Sequence, residues 1–277
     1  MHVVGVRGEA VGRRRGGWRA RSIAPVLIAL ALVACGAEPS TQVSAGPPTT
    51  AEVVRTTGST PPSSAPVRII RADDGHKRVL FVGDSLMFGA YDALDFLVTR
   101  AGVEAHYVGF TATGLLSGQG WWLRSIEHEV ATFDPDVVVI ESCCNYGAAP
   151  LFVRDGKAVV PDSEAMFEAW ADNAQRAVTL AGALGAKVYW VVTPDGSVLV
   201  TSKFQNRIHR FNAIYFSLGV PMIDWRAALQ PDGWYATSVP FQGHLVQVRR
   251  DDGMHFTRTG DVIVGVATWK EIRRNFA

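Results

Sequence analysis

Arg78-Val79-Leu80-Phe81-Val82-Gly83-Asp84-Ser85-Leu86 is the stretch on which the fold turns. Its apolar run reads as a short strand buried on both faces. A Gly-Asp turn closes it, and from Leu86 a helical pattern runs over 86–101, stopped by Gly102. A strand, a tight turn and a helix in that order lift the Ser85 hydroxyl off the edge of a sheet. They set it at the positive end of the helix, where a serine is a candidate nucleophile. A plainer reading stands beside it: Asp84 or Ser85 simply caps the helix. The four letters Gly-Asp-Ser-Leu do not decide between the two. The motif is also not the G-x-S-x-G elbow, because Met87 stands two residues after Ser85.

Outward from this stretch, the same alternation repeats. Strands are expected over 78–82, 104–110, 136–141, 187–193 and 220–223. Helices are expected between and after them, over 86–101, 119–131, 164–184, 203–218 and 260–274. The run Val137-Val138-Val139-Ile140 shows no polar alternation, as in a strand covered on both sides. Alternating strands and helices predict an α/β chain, a three-layer α/β/α sandwich on a mainly parallel five-stranded sheet. Such sheets bind ligands at the carboxyl ends of their strands. Ser85, Gly114 and Asn145 each follow an expected strand.

Near the other end stands Asp251-Asp252-Gly253-Met254-His255-Phe256-Thr257. A carboxylate three residues before a histidine, with a glycine between, can turn back on one loop. Asp252 then fixes the imidazole tautomer, and the far ring nitrogen is free to take the Ser85 proton. The alternative is a solvated turn carrying a surface histidine, one of seven in the chain.

Together these blocks resemble the SGNH (GDSL) hydrolase family, over 78 to the C-terminus. The first block matches Val82-Gly83-Asp84-Ser85-Leu86, and the last, Asp-x-x-His, matches Asp252-Gly253-Met254-His255. The oxyanion glycine of the second block finds its best match in Gly114, within Thr111-Ala112-Thr113-Gly114. The third block, usually Gly-x-Asn-Asp, falls on Cys143-Cys144-Asn145-Tyr146. Asn145 is kept, but Cys143 replaces the glycine and Tyr146 the aspartate. The resemblance implies an SGNH-hydrolase, flavodoxin-like fold, with Ser85, Asp252 and His255 catalytic. It also implies an oxyanion hole of the Ser85 and Gly114 N–H groups and the Asn145 amide, and no metal or organic cofactor.

The N-terminus has a different character. Residues 1–34 hold six arginines and one glutamate, a net of +5 in a chain whose total is +1. The rest therefore carries −4, which argues against a nucleic-acid partner. An apolar run over 23–34 is too short to span a bilayer but suits a signal peptide. Leu32-Val33-Ala34-Cys35 closes it like a bacterial lipobox, making Cys35 the expected lipidation site; an ordinary signal peptide or an uncleaved anchor is the alternative. Residues 36–75 read as a disordered Pro/Ser/Thr-rich tether, with six prolines and no aromatic residue over 36–66. Residues 76–277 are then the folded domain. Hydrophobic residues make up 48% of the chain, ample for its core.

Export leaves Cys143 and Cys144 as adjacent thiols in an oxidising compartment. They form a vicinal disulfide or stay as two small buried thiols. No CxxC or histidine cluster suggests a metal. Trp121, Trp122, Trp234, Tyr235 and Phe241 either wall a substrate pocket or pack in the core.

The expected function is that of an exported serine esterase, tethered outside the membrane as a monomeric lipoprotein. It would act on acetyl or short acyl esters of glycans or lipids. The same three side chains also suit an O-acyltransferase on envelope glycans. A non-catalytic glycan-binding lipoprotein is the third reading.

Overall fold

A computed structural model of the chain describes residues 75, 77–143, 145, 153–154, 157–197 and 202–276. The expected leader, Cys35, most of the tether and Cys144 lie outside these residues.

The strands are β1 (Lys77–Gly83), β2 (Val103–Gly109), β3 (Val137–Ile140), β4 (Val153–Arg154), β5 (Lys157–Ala158), β6 (Lys187–Val192), β7 (Met222–Asp224), β8 (Ser238–Phe241) and β9 (His244–Gln247). The helices are α1 (Ser85–Thr99), α2 (Trp121–Phe133), α3 (Glu164–Ala181), α4 (Ser202–Phe216), α5 (Trp225–Leu229) and α6 (Arg258–Ile272). The main sheet has five strands in the order β2-β1-β3-β6-β7, every pairing parallel. On one layer α1 packs against α6 and α6 against α5; on the other α2 packs against α3 and α3 against α4. The α/β/α sandwich expected from the alternating pattern is therefore the observed architecture.

The buried strands explain the run of β-branched residues. Val79 to Val82 and Val137 to Ile140 are fully buried, because helices cover both faces of the sheet. The chain reverses its winding direction between β1 and β3, the neighbours at the centre of the order. Loops that leave the carboxyl ends of these two strands diverge and open a crevice there. Ser85 follows β1 and Asn145 follows β3, so the topology alone brings them to one edge.

The strand pairs β4–β5 and β8–β9 and the helix α5 were not expected from the sequence. The hairpin β8–β9 turns at Gln242 and Gly243, both at positive φ (51° and 81°), as a two-residue turn matched to strand twist requires. Helix α5 is one short turn, capped where Asp224 Oδ1 accepts the Ala227 N–H at 2.8 Å. Among the described residues no helix is long and apolar enough to cross a membrane.

Candidate active site

Ser85 opens α1. The residue before it, Asp84, is the N-cap: its Oδ1 accepts the Leu86 N–H at 3.0 Å. The capping reading of the motif thus falls on Asp84 and leaves the Ser85 hydroxyl free to face outward. At the first turn of the helix the Ser85 N–H has no intrahelical acceptor.

His255 reaches Ser85 from a loop between β9 and α6. Its Nε2 lies 2.9 Å from Ser85 Oγ, and its Nδ1 lies 2.9 Å from Asp252 Oδ2. Asp252 Oδ1 accepts two backbone N–H groups, from Met254 at 2.8 Å and His255 at 2.9 Å. This carboxylate only accepts, so Nδ1 carries the ring proton and donates it to Asp252. The Nε2 lone pair then faces the Ser85 O–H. Partial burial would raise the Asp252 pKa, but the two N–H groups and the imidazole outweigh it and hold the carboxyl below its ordinary range.

Glycine is required in the middle of this loop. Gly253 sits at φ +69°, and a Cβ there would meet Ser197 Cβ at 2.4 Å. Ser197 N–H in turn donates to the Gly253 carbonyl at 2.9 Å. Arg249, fully buried, holds the loop from below. It donates to the Met254 carbonyl at 2.7 Å and the Asp195 carbonyl at 2.8 Å, and its guanidinium lies 4.8 Å from the Phe256 ring centre. Burial pulls its pKa down to about 10. Sequence reasoning passes over Arg249, because an Arg-Arg pair beside two aspartates looks like a solvated turn.

The loop after β2 carries Gly114, and it is packed tightly. A Cβ on Gly114 would meet the Asn145 carbonyl oxygen at 2.1 Å and the Trp170 ring at 2.5 Å. Gly114 and Asn145 are therefore neighbours, as the oxyanion assignment needs. Their donors, however, have partners. The Gly114 N–H is given to Ser117 Oγ at 3.0 Å, and Asn145 Nδ2 donates to Asp84 Oδ2 at 3.2 Å. Asn145 keeps one further amide hydrogen; the Gly114 N–H has to leave Ser117 before it can meet an oxyanion. Cys143 N–H also donates to Asp84 Oδ2, at 3.0 Å. The Cys143 sulfur is in a disulfide, and Cys144 lies outside the described residues.

A cavity of about 390 Å³ opens over the relay, lined by Ser85, Phe88, Gly89, Arg250, His255 and Asp261 among others. None of the five aromatic residues considered from the sequence lines it. Trp122 is fully buried, with Nε1 donating to Thr113 Oγ1 at 2.9 Å. Asp261 sits beneath this floor, with Oδ1 buried and unpartnered. Burial, with Asp92 adding to it, pushes its pKa up to about 6 against the pull of Arg250 and His255. Among the described residues no group of three or more His, Cys, Asp or Glu side chains is arranged to hold a metal ion.

A family model described as "Protein of unknown function (DUF459)" matches residues 78–270. The chain belongs to the DUF459 family. The match spans every element that builds the relay, from β1 to α6. Among solved structures, this DUF459 member is similar to a "putative acylhydrolase" from Bacteroides fragilis, with 18% identity and a TM-score of 0.51, over 74% of this chain and 90% of that one. That likeness is one of fold: DUF459 here has the SGNH hydrolase fold. A GDSL-like lipase from Bacteroides thetaiotaomicron aligns with 18% identity and a TM-score of 0.48, over 72% of this chain and 88% of that one. The catalytic domain of peptidoglycan O-acetyltransferase A from Streptococcus pneumoniae aligns with 15% identity and a TM-score of 0.48, over 73% and 95%. No curated protein matches the chain.

Proposed function

We propose that this DUF459 protein is a serine esterase that cleaves carboxylic esters through an acyl-enzyme. One observation carries the reading: Ser85 Oγ, His255 and Asp252 stand in a single hydrogen-bonded line, with both ring contacts at 2.9 Å. A helix cap or a solvated turn has no need of that alignment.

In the proposed reaction Nε2 of His255 takes the Ser85 proton as Oγ attacks the ester carbonyl. Asp252 holds the tautomer and stabilises the imidazolium. The negative charge that develops on the carbonyl oxygen meets the Ser85 N–H and the second amide hydrogen of Asn145, with Gly114 N–H joining once released from Ser117. Each such donor lowers the barrier by roughly 3–4 kcal/mol. The imidazolium then protonates the leaving alcohol, and water repeats the sequence on the acyl-enzyme.

The substrate class proposed with it, acetyl or short acyl esters of glycans or lipids outside the cytoplasm, is what the family resemblance implies. The basic start, the apolar run over 23–34 and the Leu32-Val33-Ala34-Cys35 ending support export and a lipid anchor on Cys35.

The test is hydrolysis of p-nitrophenyl acetate and butyrate by the purified protein beside Ser85→Ala. Ester cleavage by the wild type, lowered by about 10³-fold or more in the variant, is expected. Equal rates in the two proteins would remove Ser85 from the reaction.

A further inference from the structure

Behind Ser85 lie two carboxyl groups that the proposed reaction does not use. Asp84 and Glu141 are both fully buried. Glu141 Oε2 accepts the Asp84 N–H at 3.0 Å, so it holds the turn that carries Ser85. Asp84 faces the other way. Its carboxylate gathers Leu86 N–H, Cys143 N–H and Asn145 Nδ2. The two carboxyl groups are electrostatically coupled, and Glu141 Oε1 is buried without a hydrogen-bond partner.

Two buried carboxyls whose charges act on each other are hard to ionise together. The titratable groups that face Glu141 are Asp84 from the β1–α1 turn, Tyr107 from β2 and Tyr215 from α4. Burial raises the Asp84 pKa, and the three donors on its carboxylate oppose that rise. Burial, followed by the Asp84 charge, drives the Glu141 pKa well above the carboxylate range. Ionisation is therefore favoured at Asp84, at the positive end of α1, over Glu141.

We infer that Glu141 is a positioning residue of the oxyanion site, a neutral acid that holds Asp84 as a lone carboxylate so that Asp84 can aim the Asn145 amide beside Ser85. The family resemblance offers no hint of it, because Glu141 lies outside the four blocks. The inference rests on the esterase reading, and its own content is the protonation state and its effect on turnover. A buried hydrophobic residue at this place would leave the Asp84 N–H unpaired. An ionised glutamate would set two negative charges against each other within the turn.

The test compares wild type, Glu141→Gln and Glu141→Leu, with p-nitrophenyl acetate as substrate and infrared spectra of the same proteins at pH 7.5. Glutamine is neutral and keeps both donor and acceptor. It is expected to retain kcat within a few-fold, whereas leucine lowers kcat by about 10–100-fold with KM little changed, because one oxyanion donor loses its support. The wild type is expected to show the carbonyl stretch of a protonated carboxylic acid, missing in Glu141→Gln. Absence of that band from the wild type overturns the inference even if no variant folds. So does a glutamine variant, folded by circular dichroism, that is as impaired as leucine. An active wild type with an equally active leucine variant overturns the inference alone. A wild type that cleaves no ester overturns the esterase reading, and the positioning role falls with it.

Discussion

Ser85 Oγ and His255 Nε2 meet at 2.9 Å although 170 positions separate them in the chain. The meeting is a product of topology. Ser85 stands at the turn that leaves β1, and His255 stands on the loop that enters the helix packed against α1. Any change that slides α6 along α1 therefore moves the base relative to the nucleophile. Small residues let these two helices approach closely: a Cβ added to Gly265 would lie 3.3 Å from Ala93 Cβ.

Asp252→Asn isolates the third member of the line. Asparagine can offer an N–H to His255 Nδ1 and so select the wrong tautomer. A fully buried aspartate in this role is worth about 10⁴-fold in kcat. The Asp252 side chain is 49% exposed, and water can substitute for part of its effect, so a fall of about 10²-fold is expected. The pH dependence has a definite sign. The folded-state pKa of Asp252 is lowered, so its contribution to stability is present above the ordinary carboxylate value of about 3.9 and is lost as pH falls through the lower, folded value. A thermal-melt series from pH 2 to 6 on wild type and variant checks this: the variant's curve should be flatter at the acid end.

How far the sequence leads can be judged on particular residues. The parallel sheet was legible because Val79 to Val82 and Val137 to Ile140 have no polar face, and the two ends of the relay because Gly-Asp-Ser-Leu and Asp-x-x-His sit where strands meet helices. The β8–β9 hairpin was missed because Gln242, not asparagine or aspartate, takes the first positive-φ position of its turn. Arg249 was missed because burial of a charged side chain is decided by tertiary neighbours, here Phe256, Tyr235 and two carbonyls, and leaves no local signal. The state of the Gly114 N–H was equally hidden: its partner, Ser117, reads as an ordinary loop serine.

Asp261 makes the opposite pH signature to Asp252. With a folded pKa of about 6 it binds a proton more tightly than the unfolded chain does. Its stabilising contribution is thus full at low pH and is lost as pH rises from about 4 to about 6. Asp261→Asn removes this loss. The variant is expected to gain about 1–2 kcal/mol on the wild type between pH 4 and pH 7.5. Urea unfolding at the two pH values measures the difference. An unchanged gap would mean that folding does not raise the Asp261 pKa.

Tyr215 ties the nucleophile edge to the helices below. Its hydroxyl donates to the Ser142 carbonyl at 2.7 Å and accepts from Trp170 Nε1 at 3.0 Å, all three groups buried. Tyr215→Phe leaves one donor and one acceptor unpaired, at about 1–3 kcal/mol. A fall in Tm of roughly 2–12 °C is expected for a domain of this size. Because Cys143 N–H binds Asp84 one residue after Ser142, kcat should fall too. A variant with an unchanged Tm would show that water replaces the hydroxyl.

Arg249→Lys asks whether the guanidinium fork or merely its charge holds the His255 loop. Only the fork reaches the Met254 and Asp195 carbonyls together, 2.7 Å and 2.8 Å from its two terminal nitrogens. A lysine ammonium is a compact charge that satisfies one carbonyl at a time and is more strongly hydrated, so burying it is harder. The expected loss is about 1–3 kcal/mol of stability. Met254 is bonded next to His255, so a slackened carbonyl lets the imidazole drift from Ser85, and kcat should fall about tenfold with KM little changed. If lysine matched arginine in both urea midpoint and kcat, the packing of Phe256 and Tyr235 around the stem, rather than the fork, would be what fixes the base.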